Sequence, residues 1–344
     1  MDQGHQCFLV SLEKGIPTKA RKFLINYKIL PSFLKYPLSA RRVKKIAEKI
    51  KADLINAHFV PNYGLIGALL GQRPLVVSTW GSDILISPQK SFLHKFRAKY
   101  ILKKADLITT DAKILTQAIL DLGIKKRKMI ESPMGVERNL VSEHEEKRFR
   151  SSYLQEKKGF VILSNRRLEP VYDLSTLLRA VPMVIREANK KVRFVIGGEG
   201  SLKNKLIKFT RDLKMEEYVE FKGELSRKDL IDCYENSDIY ISTSLSDSTS
   251  VSLLEAMAFE LIPIVTDIPG NREWIEDKKN GFLFPISDHQ ALAKKIIYAI
   301  NEFTDWTFFR ENNISLIKKK AIWEDNMKIV ETEFLKLVGR ECDL

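Results

Sequence analysis

The sequence predicts a two-domain α/β protein in which each domain is a parallel sheet wrapped by helices. Its 344 residues are more than one compact core ordinarily holds. Short runs rich in Val, Ile and Leu alternate with longer stretches of helical period, the pattern of buried parallel strands joined by crossover helices. The charged stretch Val141–Lys158 divides these runs into two series and reads as the linker.

In chain order, the first series places strands at Cys7–Ser11, Leu54–His58, Pro74–Thr79, Leu107–Thr110 and Lys128–Ser132. The second places them at Phe160–Asn165, Val192–Gly197, Val219–Lys222, Ile239–Thr243, Ile262–Thr266 and Phe282–Phe284. Most run into Gly, Ser, Asn or Asp, as strands feeding tight turns do. Two helical segments close the chain, Asp288–Glu302 and a long amphipathic Phe308–Val338. The expected domains are therefore 1–150, 151–305 and a helical segment 306–344.

Composition narrows the class. Apolar residues make up 44%, and no run is long and apolar enough to span a bilayer. Cys7, Cys233 and Cys342 are scattered without metal-ligand spacing, so neither a zinc site nor a disulfide framework is expected. Residues 1–150 hold 28 Lys and Arg against 13 Asp and Glu, while the remainder is close to neutral. A basic half points to a polyanionic partner, or to an ordinary solvated surface. No nucleic-acid module accompanies the charge, and no nucleic-acid partner is expected.

The segment Ile239–Ala258 carries the chemistry. A strand ends near Thr243, a loop of small polar residues follows, and a helix opens near Val251 behind three candidate caps, Ser248, Thr249 and Ser250. Such a strand-to-helix turn offers free N–H groups and the positive end of a helix dipole to a phosphate. Asp247 in the loop and Glu255 one turn into the helix suit sugar and ribose hydroxyls, which donate to carboxylates.

Asp247 to Glu255, then Ala-Met-Ala, Gly270, Glu273 and Asn280-Gly281, resembles the E-x7-E block of glycosyltransferase family 4, the retaining enzymes of the GT-B fold. Ser164-Asn-Arg-Arg-Leu-Glu-Pro-Val-Tyr172 resembles that family's Arg-Leu…Lys element. Arg167 falls at the Arg place, Arg166 beside it as a substitute, and Tyr172 at the Lys place. Gly197-Gly-Glu-Gly200 resembles its glycine turn, with Gly198 and Gly200 letting backbone pass close to a nucleotide. In the first half, His58 and the turn Trp80-Gly81-Ser82-Asp83 resemble its acceptor-side elements. Gly135-Val-Glu137 resembles the Gly-Val-Asp ahead of the linker, and Trp323 the C-terminal tryptophan.

The resemblance implies two Rossmann-like domains facing across a cleft (GT-B), with a C-terminal helix returning to the N-terminal domain. It implies a hexose-type transfer from a nucleotide sugar to a saccharide or lipid-linked acceptor in cell-surface polysaccharide or glycolipid synthesis. Arg167, Asp247 and Glu255 would be the catalytic residues. Arg166, Tyr172, Gly198, Gly200, Ser248, Thr249, Ser250, Val251, Gly270 and Glu273 would hold the donor, and His58, Trp80, Gly81 and Asp83 would face the acceptor. No metal and no cofactor are expected, and the location implied is cytoplasmic. Independently of the resemblance, the stretches Lys19–Lys51 and Gln89–Lys104, which mix Lys and Arg with aromatic and apolar residues, suit peripheral docking on an anionic membrane, or else core stripes with solvated charges.

Four departures accompany the resemblance. Gly4-His5-Gln6-Cys7-Phe8-Leu9-Val10 resembles the stretch that follows the family's first βα unit, so either the gene begins upstream or this is a homologue that binds nucleotide sugar without transferring it. Asp247 replaces Glu, Ser248-Thr249-Ser250 replaces Gly-Phe-Gly, and Trp80 stands where the family has its active-site His. His58 is the nearest other imidazole, with a structural strand-end role as the alternative.

Overall fold

The computed structural model describes residues 4–13, 18–25, 31–143, 159–302 and 306–340. Most of the expected linker, 144–158, lies outside these residues. Contacts divide the chain into two compact units. One is Met1–Thr110 with Leu115–Glu131 and Val330–Leu344; the other is Asp111–Ile114 with Ser132–Ile329. The first unit thus gives way at Glu131, ahead of the charged stretch.

In the first unit, β1 (Phe8–Ser11) pairs in parallel with β2 (Arg21–Leu24). Strand β2 was not expected. Its four residues hold no β-branched side chain and sit in a Lys- and Arg-rich run that reads as basic helix. Pairing with β1 and the bond from Ile25 N–H to the Ser11 carbonyl at 2.9 Å decide its conformation. Helix α1 (Ser32–Lys49) follows, and Leu12, Ile25, Ala40, Val43, Ile66 and Leu70 form the core beneath it. Then come β3 (Ile55–His58), α2 (Leu65–Leu70), β4 (Leu75–Ser78), α3 (Ser82–Leu85), α4 (Phe92–Lys104), β5 (Leu107–Thr110), α5 (Lys113–Asp121) and β6 (Met129–Glu131). Strands β3 to β6 form one parallel sheet in sequence order.

The second unit runs β7 (Gly159–Ser164), α6 (Leu174–Glu187), β8 (Lys191–Gly197), α7 (Lys203–Asp212), β9 (Val219–Gly223), α8 (Arg227–Glu235) and β10 (Ile239–Ser242). It continues with α9 (Val251–Ala258), β11 (Ile262–Thr266), α10 (Pro269–Arg272), β12 (Phe282–Phe284), α11 (His289–Asn301) and α12 (Trp306–Lys320). Its six strands are parallel in the order β12-β11-β10-β7-β8-β9. Strands β10 and β11 are buried at every position, which is why they read as unbroken apolar runs. The chain winds outward from β7 through β8 to β9, then returns to lay β10 against the other side of β7 before moving away through β11 and β12. Where winding reverses, the crossovers leave in opposite directions and a crevice opens at the strand ends. Here that point lies after Ser164 and Ser242.

The long closing helix is two. Helix α12 ends at Lys320 and α13 spans Trp323–Leu337. Between them Val136 N–H donates to the Ala321 carbonyl at 2.7 Å, and Trp323 N–H donates to the Val136 carbonyl at 2.9 Å. These bonds replace helical ones, so the interruption has a tertiary cause that periodicity does not reveal. Gly135 permits it: a Cβ there would lie 2.7 Å from the Ala321 carbonyl oxygen. Only the part of α13 from Val330 groups with the first unit.

Candidate active site

Two loops meet at the reversal point of the second sheet. The loop after β7 carries Asn165, Arg166 and Arg167, and the loop after β10 carries Asp247 to Ser250 and opens α9. Ser250 is the helix cap, its Oγ accepting from Leu253 N–H at 3.3 Å. Apart from the first residue, Val251, all of α9 is buried, so the loop end of the helix rests on a packed support.

Arg166 is the centre of the site. One guanidinium nitrogen donates to Ser250 Oγ at 2.6 Å and Ser252 Oγ at 2.8 Å, and the other to Asp247 Oδ2 at 2.5 Å. Its plane lies over the Tyr172 ring, 4.4 Å from the centroid. The side chain is only 10% exposed, and its Nε has no partner among the described residues. Burial alone would lower the Arg166 pKa, but the Asp247 carboxylate raises it, so the guanidinium stays charged in spite of its burial. Arg167 points away: 75% of its side chain is exposed, and Glu169 stands 3.9 Å off. Of the two adjacent arginines, Arg166 is therefore the one that engages Asp247.

Glu255 is buried and both its oxygens are engaged. Arg227 donates to Oε1 at 2.6 Å and Tyr234 to Oε2 at 3.0 Å, with Asn165 donating to the same phenol at 2.7 Å. Arg227 reaches Glu137 as well, at 3.5 Å. Burial, then Glu255, pushes the Tyr234 pKa well above the ordinary value, so it stays a donor. Ser248, Thr249 and Ser250 are also buried. Their hydroxyls turn inward: Ser248 donates to Asp111 Oδ2 at 3.0 Å and Thr249 to the Asp111 carbonyl at 2.6 Å. What this turn leaves for a ligand is backbone and the exposed Val251.

Several expected ligand contacts are structural. Glu273 caps α5, accepting from Lys113 and Ile114 N–H at 2.9 Å each. Gly198 and Gly200 are required by the protein's own packing. A Cβ on Gly198 would lie 2.5 Å from the Arg166 carbonyl oxygen, and one on Gly200 2.4 Å from that of Leu168. Gly270 presses on the Asp247–Ser250 loop itself, where a Cβ would meet the Ser248 and Asp247 carbonyl oxygens at 2.2 and 2.5 Å. Gly270→Ala is accordingly expected to destabilise the fold by about 1–3 kcal/mol and to weaken ligand binding together with it, read by chemical denaturation with and without ligand. An unaltered denaturation midpoint would contradict this packing.

In the first unit Asp83 is fully buried and cannot touch an acceptor. Its carboxylate accepts from Val60 N–H at 3.0 Å and Trp80 N–H at 2.9 Å, joining the turn after β3 to the one after β4. Phe59 in the first turn holds φ 74°, uncommon for a residue with a side chain, while Gly81 in the second takes φ 103°, which glycine permits. His58 and Trp80 are exposed and stacked, centroids 5.5 Å apart. Sequence reasoning missed Asp111, Arg227 and Ser252. Asp111 carried a faint signal, an acid at a strand end ahead of a helix; Arg227 carried none.

The sequence pattern of the family Glycosyl transferases group 1 matches residues 145–313, and that of Glycosyl transferase 4-like matches 1–112. The chain is a family-4-like glycosyltransferase. This transferase is 31% identical over 163 residues to the poly(ribitol-phosphate) alpha-N-acetylglucosaminyltransferase of Staphylococcus aureus, covering 46% of this chain and 32% of that one. It is 24% identical over 274 residues to the alpha-monoglucosyldiacylglycerol synthase of Streptococcus pneumoniae, covering 74% and 60%. It therefore spans less than two thirds of these relatives' lengths. The crystal structure of Anabaena Alr3699/HepE in complex with UDP matches with a TM-score of 0.72 at 21% identity, covering 91% of the transferase and 85% of that chain. The fold is GT-B.

Proposed function

We propose that this transferase moves a hexose-type sugar from a nucleotide sugar, with retention at the anomeric carbon, to a saccharide or lipid-linked acceptor in surface polysaccharide or glycolipid synthesis. The observation that carries the reading is the buried Arg166–Asp247 pair at the point where the second sheet reverses. Arg167, exposed and loosely paired, is free to take the leaving diphosphate together with the start of α9. Arg166 holds Asp247 against the transferred sugar. Glu255 takes the ribose hydroxyls once Arg227 releases it, and His58 and Trp80 contact the acceptor.

In this scheme a diphosphate oxygen accepts the proton of the acceptor hydroxyl while the new bond forms on the face the diphosphate leaves. The protein supplies position and charge, and neither metal nor cofactor is required. Thermal unfolding with UDP-, GDP- and ADP-sugars tests the reading. One donor series is expected to raise the unfolding temperature, equally with and without a chelator, and Arg167→Ala is expected to abolish the rise. An unchanged rise in that variant would remove Arg167 from the diphosphate, and no rise with any donor would remove the reading itself.

A further inference from the structure

Helix α4 is apolar on two opposite sides. Its buried residues Ala98, Ile101 and Leu102 share one side at 100° per residue. The side turned to solvent carries Phe92, Phe96 and Tyr100 at four-residue spacing, with Leu93 next to them. Their exposures are 80% for Phe92, 75% for Leu93, 63% for Phe96 and 37% for Tyr100. A helix that merely covers a core puts polar residues there. Single exposed apolar side chains are ordinary, but an aromatic row aimed outward from a helix's centre line marks a contact surface.

Charge tells what kind of surface it meets. No acid occurs between Asp83 and Asp106, whereas that stretch holds Lys90, Lys95, Arg97, Lys99, Lys103 and Lys104. Lys99 and Lys103 flank the aromatic row on one side by helical spacing, and Arg97 and Lys104 on the other. The Lys104 ammonium lies 5.8 Å from the centroid of the Tyr100 ring. A protein partner or a second copy of this chain would favour mixed signs at the rim. Aromatic rings between ammonium groups, with no acid near them in sequence, instead match the boundary between acyl chains and anionic headgroups.

We propose that the Phe92–Tyr100 face of α4 docks this protein on an anionic bilayer. The rings enter the interface while the lysines meet the headgroups. The assignment stands on the first unit alone and is independent of which donor the second unit binds.

Co-sedimentation of the full chain with vesicles tests it. Strong binding is expected to phosphatidylcholine vesicles that contain phosphatidylglycerol, and weak binding to phosphatidylcholine alone, the difference fading at high salt. The double variant Phe92→Ser, Phe96→Ser is expected to lose about tenfold or more of that binding. These side chains pack little in the protein, so its unfolding temperature and its shift with donor sugar are expected to match the parent. Lys99→Glu with Lys103→Glu is expected to weaken binding to anionic vesicles only. Equal binding by the serine variant, or equal binding to both vesicle types, would overturn the proposal. So would a dimer that the serine variant dissolves while vesicles retain neither protein. Loss of the donor shift in every protein, with vesicle binding intact, would count against the donor reading and leave this one standing.

Discussion

Arg166→Lys is expected to lower kcat/KM for sugar transfer by about 100-fold while leaving the protein folded. Arg166 makes three hydrogen bonds, to Asp247, Ser250 and Ser252, and lies flat on Tyr172. A lysine ammonium keeps the charge but has neither the planar fork nor the reach for all three acceptors. Asp247 then loses its fixed direction in a loop where a displacement of about 1 Å from the productive position costs on the order of 100-fold. Arg166→Ala is expected to cost more, because it strands Asp247, only 17% exposed, without its cation. Steady-state kinetics with the donor found by thermal shift, alongside unfolding of each variant, separates a site effect from lost structure. If Arg166→Lys turns over like the parent, Asp247 does not depend on its orientation for activity.

The second large effect is one of pH. Burial pushes the Asp111 carboxyl from the ordinary 3.8 up to about 7; the Ser248 hydrogen bond opposes this and the nearby Asp247 charge adds to it. Its Oδ1 is buried without a partner among the described residues, a fitting place for a proton. The charged and titratable groups around it are Asp247, paired with Arg166, and Glu273, which caps the next turn of the same chain segment. A folded-state value above the unfolded one means that the native protein binds the proton more tightly. Stability is therefore lost as pH rises from about 4 to about 7, and the penalty is complete above that. Asparagine has no proton to lose. Asp111→Asn is expected to gain on the parent between pH 5 and pH 8, by as much as about 3 kcal/mol, the rest of the shift being expressed already at pH 5. Denaturation midpoints at both values measure it, and an identical difference at the two would refute it.

How much of this was legible beforehand depended on whether the cause was local. Strands β10 and β11 were plain because full burial writes itself as an apolar run. Strand β2 was not, because its only support is a neighbour, and the gap between α12 and α13 was not, because Val136 creates it from far along the chain. In the site, the helix cap and the two acids of the Asp247 loop could be read from a strand-loop-helix pattern. Which of two adjacent arginines turns inward could not, since successive side chains leaving a strand point to opposite sides. Asp111 lies 137 positions from its partner Ser248, and nothing in either neighbourhood announces the other.

The reversal of the second sheet has a consequence for how the protein is made. Its two functional loops are neighbours in space yet come from strands separated by the whole excursion through β8 and β9. A growing polypeptide that has emerged only through β9 has the arginines but no Asp247, and no helix start to face them. At the proposed site a donor sugar would therefore have nothing to grip until synthesis has passed α9. Whatever steadies the half-built sheet on the ribosome must be its own apolar packing, and rescue of a weakened variant by nucleotide sugar can begin only after that point.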